Sequence, residues 1–124
     1  MLNLDTHMAV AVLNGSLSKH ELALISAEPL TISSIVLWEL SKLVQLRRLT
    51  LDLESQAFRE FLRHVLVFPI TFEIAIQSTR LDFRSDPADE IIAATSVVER
   101  IPLLTRDKKL LKSRIVPLAR YSAR

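Results

Sequence analysis

The stretch "LTISSIVLWELSKLVQL", residues 30–46, changes its period partway along. Leu30 to Ser33 form a short run suited to a buried strand, and Pro29 in front of them stops the preceding helix. From Ser34, which can cap it, the pattern is that of a helix running through "IVLWELSKLVQL". A short strand that passes directly into a helix is the repeating unit of a parallel sheet covered by helices.

The same alternation extends in both directions. Met1 to Leu4 reads as a buried strand, followed by a helix in "DTHMAVAVL" that ends at Asn14 and Gly15. Ser18 and Glu21 form a capping-box pattern in "SKHE" and start a second helix. Downstream, Ala57, Phe58, Phe61, Leu62 and Val65 keep a helical period, which predicts a helix over residues 55–65. Thr71 can cap a short helix in "FEIAIQS", and Asp86 with Pro87 opens a helix reaching about Arg100. "PLLT", residues 102–105, is a strand, "DKKLLKS" a short helix, and "IVPL" a candidate last strand. The expected architecture is α/β in three layers, with a central parallel sheet flanked by helices.

The chain has 124 residues, 49% of them hydrophobic, which suits one domain spanning residues 1–124. Its apolar runs are far shorter than a membrane span, and no secretion signal stands at the start, so a soluble cytoplasmic protein is expected. Cysteine is absent, which excludes disulfides and thiolate metal sites. A single glycine, Gly15, excludes phosphate-cradling glycine loops. His7, His20 and His64 have no metal-like spacing. The net charge of +2 is unevenly spread: the C-terminal segment 106–124 carries Arg106, Lys108, Lys109, Lys112, Arg114, Arg120 and Arg124 against Asp107 alone. A basic segment beside an acidic body is consistent with a nucleic-acid partner.

Sites in parallel α/β sheets form beyond the carboxyl ends of the strands. Asp5 ends the first strand, Asp107 lies two residues past Thr105, Glu39 stands just over one turn into its helix, and Asp89 lies in the first turn of another. Each acid has a plain structural role open to it: a cap, a dipole partner, or for Glu39 a pairing with Lys42. Gathered together, carboxylates raise one another's proton affinity and cost stability unless a cation neutralises them. Oxygen donors without His or Cys select Mg²⁺ or Mn²⁺, and such ions assist attack on phosphodiesters.

"LDTH" (residues 4–7), "SSIVLWEL" (33–40), "DPADEIIAAT" (86–95) and "LLTRD" (103–107) resemble, in order, the motifs of PIN-domain proteins, specifically the VapC-type toxins of bacterial toxin–antitoxin pairs. The resemblance implies a Mg²⁺- or Mn²⁺-dependent endoribonuclease with Asp5, Glu39, Asp89 and Asp107 as its catalytic, metal-binding acids. It implies Thr6 and Thr105 as hydrogen-bonding supports of that site, a cognate antitoxin partner, an RNA substrate and a homodimer. Asp86 matches the capping aspartate of the family's motif, and Glu90 stands where relatives commonly carry a basic residue. Arg106 is a candidate phosphate contact. The competing expectation is a binding module that keeps the fold and acts mainly through a protein partner, for which Phe58, Phe61 and Leu62 are candidate groove residues.

Overall fold

A computed structural model describes residues 1–120. Four parallel strands form one sheet: β1 (Leu2–Leu4), β2 (Leu30–Ser33), β3 (Val65–Phe68) and β4 (Leu103–Leu104), in the order β3-β2-β1-β4. Among the described residues seven helices flank it: α1 (Thr6–Asn14), α2 (Lys19–Ala27), α3 (Ser34–Gln45), α4 (Gln56–Arg63), α5 (Phe72–Gln77), α6 (Pro87–Glu99) and α7 (Lys108–Leu111). The chain thus has the expected three-layer α/β fold. It builds outward from β1 to β3, then crosses back through α5 and α6 to place β4 on the other side of β1. That reversal puts the switch point of the sheet between β1 and β4, where crevices form in such folds.

Leu4, Ile32 and Leu103 are fully buried, and Leu4 sits level with both Ile32 and Leu104 across the ladders. Burial on both faces explains why these strands read as apolar runs rather than as alternating patterns. One polar residue is built into the centre. Asn3, with no exposed surface, donates to Ser96 Oγ at 2.9 Å and to the Ile92 carbonyl at 3.3 Å, and accepts from Thr31 Oγ1 at 3.2 Å. It therefore fixes α6 against β1 and β2.

The sequence-based caps hold at Ser18, Thr71 and Asp86, and Gly15 ends α1 at φ 70°, a left-handed conformation suited to glycine. Three boundaries differ. Ser33, not Ser34, caps α3, its Oγ accepting from Ile35 N at 3.2 Å. The helix expected over residues 55–65 ends at Arg63, and Val65 begins β3 instead, paired along the ladder with Leu30. The helical spacing of Val65 from Phe61 and Leu62 is coincidental, because "VLVF" gains more by joining the sheet edge. "IVPL" forms no full strand: only Leu118 bridges to Leu103, although Ala119 N reaches the Leu103 carbonyl at 2.9 Å. In the basic segment, Arg124 lies outside the described residues.

Asn3→Ala should destabilise the chain by about 1–3 kcal/mol in urea unfolding, because it strips the Ser96 and Thr31 hydroxyls of a buried partner. An unchanged midpoint would show that the network does not secure α6.

Candidate active site at the carboxyl edge of the sheet

Asp5 leaves the sheet at the end of β1 and is 3% exposed. Its Oδ1 accepts from Met8 N at 2.9 Å, which caps α1, and its Oδ2 accepts from Thr105 Oγ1 at 2.5 Å. Thr105 follows β4, so one carboxylate ties both strands of the switch point. Burial pushes the Asp5 pKa up, and nearby Asp107 adds to this, while the two hydrogen bonds and His7 oppose it.

Glu39 projects from the second turn of α3 and accepts a short hydrogen bond from Thr6 Oγ1. Its pKa is also raised, first by burial and then by Asp86 and Asp5, against the pull of Thr6 and His7. Asp89 is the third residue of α6, and Ser85 Oγ donates to its Oδ2 at 3.0 Å. Burial, with Asp86, Glu39 and Asp107 as neighbouring charges, pushes Asp89 up to about 6. Asp107 caps α7 by accepting from Lys109 N at 2.8 Å, and its own N–H donates to Thr105 Oγ1 at 3.0 Å.

The charge of Asp107 acts on Asp5, that of Asp5 on Glu39, and those of Glu39 and Asp107 on Asp89, while Thr6 holds Glu39 and Thr105 holds Asp5. Glu39 Oε2, Asp89 Oδ1 and Asp107 Oδ2 make no hydrogen bond with any described residue. The acids do not form a closed cage: among the described residues no three carboxylate or imidazole groups stand close enough together to hold an ion by themselves.

Asp5, His7, Arg106 and Asp107 line a cleft of about 270 Å³ at this edge. Arg106 is exposed there and bound to Glu21, donating through Nε at 2.7 Å and Nη2 at 2.6 Å, with a further bond to the Ser16 carbonyl at 3.0 Å. Its Nη1 has no partner among the described residues. The pairing holds Glu21 down to about 2.

Three contributors were not visible as such in the sequence. Ser85 steadies Asp89 from outside the helix, where no periodicity marks it. Glu21 announces itself only as a capping residue, because its partner is 85 positions away. Asp86 caps α6 as expected, yet its charge also acts on Glu39 and Asp89.

The PIN-domain family model matches residues 3–114, and the chain belongs to that family. No curated protein matches it. Several solved structures share the fold. Against VapBC2 from Rickettsia felis bound to a DNA fragment from their promoter, the TM-score is 0.73 at 20% identity, covering 98% of this chain and 100% of that chain. DNA-bound VapBC from Salmonella typhimurium gives 0.73 at 16% identity, with 98% of each chain covered. FitAcB from Neisseria gonorrhoeae gives 0.69 at 19% identity, with 97% of each covered.

Acids whose proton affinity rises on folding bind more protons in the native state, so stability falls as pH rises through the interval between the unfolded and folded pKa. Asp89 sets that interval from 3.8 to about 6, and Asp5 and Glu39 act with the same sign. Glu21 acts with the opposite sign, but only between about 2 and 4.5. The ion-free chain should therefore lose stability between pH 4.5 and 6, and Asp89→Asn should flatten the slope in a melting series. A wild-type stability that rises across this window would contradict the coupling.

Proposed function

We propose that this chain is a Mg²⁺- or Mn²⁺-dependent endoribonuclease and the toxin of a toxin–antitoxin pair. The observation that carries the reading is the convergence of Asp5, Glu39 and Asp89, all with raised proton affinity, beside Asp107 at the switch point of the sheet. Such a group is poorly suited to stability alone and well suited to a cation.

The donor set fits a hard divalent ion. It consists of carboxylate oxygens, three of which are uncommitted, and Mg²⁺ keeps several waters and needs only one or two carboxylates beside a substrate phosphate. An open arrangement of acids is therefore compatible with it, and a closed cage is not required. Asp5, Glu39, Asp89 and Asp107 would hold the ion directly or through water. When bound, the ion supplies charge neutralisation for phosphate oxygens and acidifies water for attack on a phosphodiester.

The chain's own residues do the positioning. Thr105 and Met8 N fix Asp5, Thr6 fixes Glu39, and Ser85 fixes Asp89. Arg106, steadied by Glu21, keeps Nη1 free to meet a phosphate at the mouth of the cleft. For the partner, Phe58 is buried in the core, whereas Phe61 lines an apolar hollow of about 340 Å³ with Val12, Leu13, Leu30 and Val65. That hollow suits an apolar anchor of an antitoxin. Exposed Trp38 and Phe72 offer further apolar surface for an antitoxin or a second copy in a homodimer. No helix of the described residues is long and apolar enough to cross a membrane.

The purified chain should cleave RNA internally with Mg²⁺ or Mn²⁺, stop on chelation, and lose at least about a hundredfold in rate in Asp5→Asn, Glu39→Gln and Asp89→Asn. Asp86→Asn preserves a good cap and should keep most of the activity. Undiminished cleavage by Asp5→Asn in a ribonuclease-free preparation would sink the enzyme reading.

A further inference from the structure

A second hollow of about 510 Å³ forms where the chain between α5 and α6 turns into α6, next in sequence to Asp89. Ser78, Thr79, Phe83, Arg84, Ser85 and Glu90 line it. Ser85 lines the hollow and reaches the acids: its hydroxyl donates to Asp89, and its backbone N–H donates to Glu90 Oε2 at 3.3 Å. The hollow is therefore joined to the proposed reaction centre through a single residue.

The hydroxyls of its wall are one-sided in hydrogen bonding. Ser78 Oγ already donates to the Ala75 carbonyl at 2.6 Å, Thr79 Oγ1 to the Ile76 carbonyl at 2.7 Å, and Ser85 Oγ to Asp89. With their protons committed, these hydroxyls can offer only lone pairs to a guest. Glu90 adds a carboxylate with Oε1 unbonded among the described residues. Phe83, half-buried against the core, contributes apolar surface to the wall. Arg84 is exposed and has no carboxylate partner among the described residues, which leaves it available for a phosphate.

A free carboxylate oxygen and proton-committed hydroxyls beside Phe83 favour a planar guest that carries adjacent donors, with Arg84 as the one donor side chain of the wall. Among RNA bases, guanine presents N1–H and the N2 amino group side by side on its Watson–Crick edge, the spacing a carboxylate fork accepts. Uracil has one N–H between two carbonyls that a carboxylate would repel, and adenine and cytosine set a single amino group beside a ring acceptor. Resting on the ribonuclease reading above, we propose that this hollow holds a guanine base of the RNA next to the cleaved phosphate, with Glu90 reading its Watson–Crick edge and Phe83 stacking on its face. Glu90 is then a specificity-determining residue.

Guanosine and inosine 5′-monophosphates share ribose, phosphate and N1–H and differ only in the 2-amino group, so they probe this contact directly. In a titration followed by amide chemical shifts, the wild-type chain should bind the guanosine nucleotide about tenfold more tightly, with shifts centred on residues 78–90. Glu90→Gln keeps an acceptor for Ser85 N–H but turns an amide donor toward the base edge, so the guanosine-to-inosine affinity ratio should fall to about one. Because the readout is a ratio, a general loss of folding cannot imitate it. Equal affinities in the wild type, an unchanged ratio in Glu90→Gln, or shifts located elsewhere would each overturn the assignment. A companion assay replaces guanosine by inosine beside the cut in an RNA oligonucleotide, where KM should rise with kcat little changed. RNA cleavage without any guanine preference overturns the subsite alone, whereas guanine-selective binding by a chain that cuts no RNA upholds the subsite and overturns the ribonuclease reading.

Discussion

The hydrogen bond from Thr105 to Asp5 is the constraint on which the rest of the site depends. It joins the ends of β1 and β4 where the chain direction reverses, and Asp5 simultaneously starts α1 through Met8 N. A carboxylate this deeply buried is costly unless its oxygens are satisfied. The fold meets that cost with one backbone donor and one hydroxyl, and in doing so fixes the position of Asp5 relative to everything that follows Thr105, including Asp107.

Around that centre, stability and chemistry pull in opposite directions. Asp5, Glu39 and Asp89 are all shifted toward protonation by desolvation, and the charges of Asp86 and Asp107 deepen the strain. The strain is tolerated because the scaffold beneath is firm: Asn3 joins α6 to two strands, Leu4, Ile32 and Leu103 fill the sheet centre, and Ser33 caps α3 from a fully buried position. Under the proposed reading, a cation bound to the native state would relieve the repulsion and add its own stabilisation.

Much of this was legible in the sequence wherever a local rule governs. Pro29, Asp86 with Pro87, Ser18 with Glu21, and Gly15 each mark a boundary through backbone chemistry that acts within a few residues, and each boundary stands in the fold. The acids at the carboxyl ends of strands were recognisable because α/β topology brings those ends together. What escaped was set by competition or by distance. "VLVF" continues the helical spacing of the preceding segment, and only the free edge of β2 decides that it becomes a strand. Ser33 and Ser34 are equally good caps by type, and the choice between them depends on where the ladder ends. The clasp of Arg106 on Glu21 and the reach of Asp86 to Glu39 join residues far apart along the chain, which no local pattern encodes.

The central proposal is that a divalent ion binds among the four acids, directly or through water, and Mn²⁺ binding followed by electron paramagnetic resonance tests it without reference to catalysis. The free-ion signal should fall on adding the chain, more strongly at pH 7.5 than at pH 5.5, because Asp89, pushed up to about 6, must lose its proton to serve as a ligand. Asp5→Asn and Asp89→Asn should weaken binding at least about tenfold while both chains remain folded. Binding of equal strength in the wild type and both variants would contradict the proposed site.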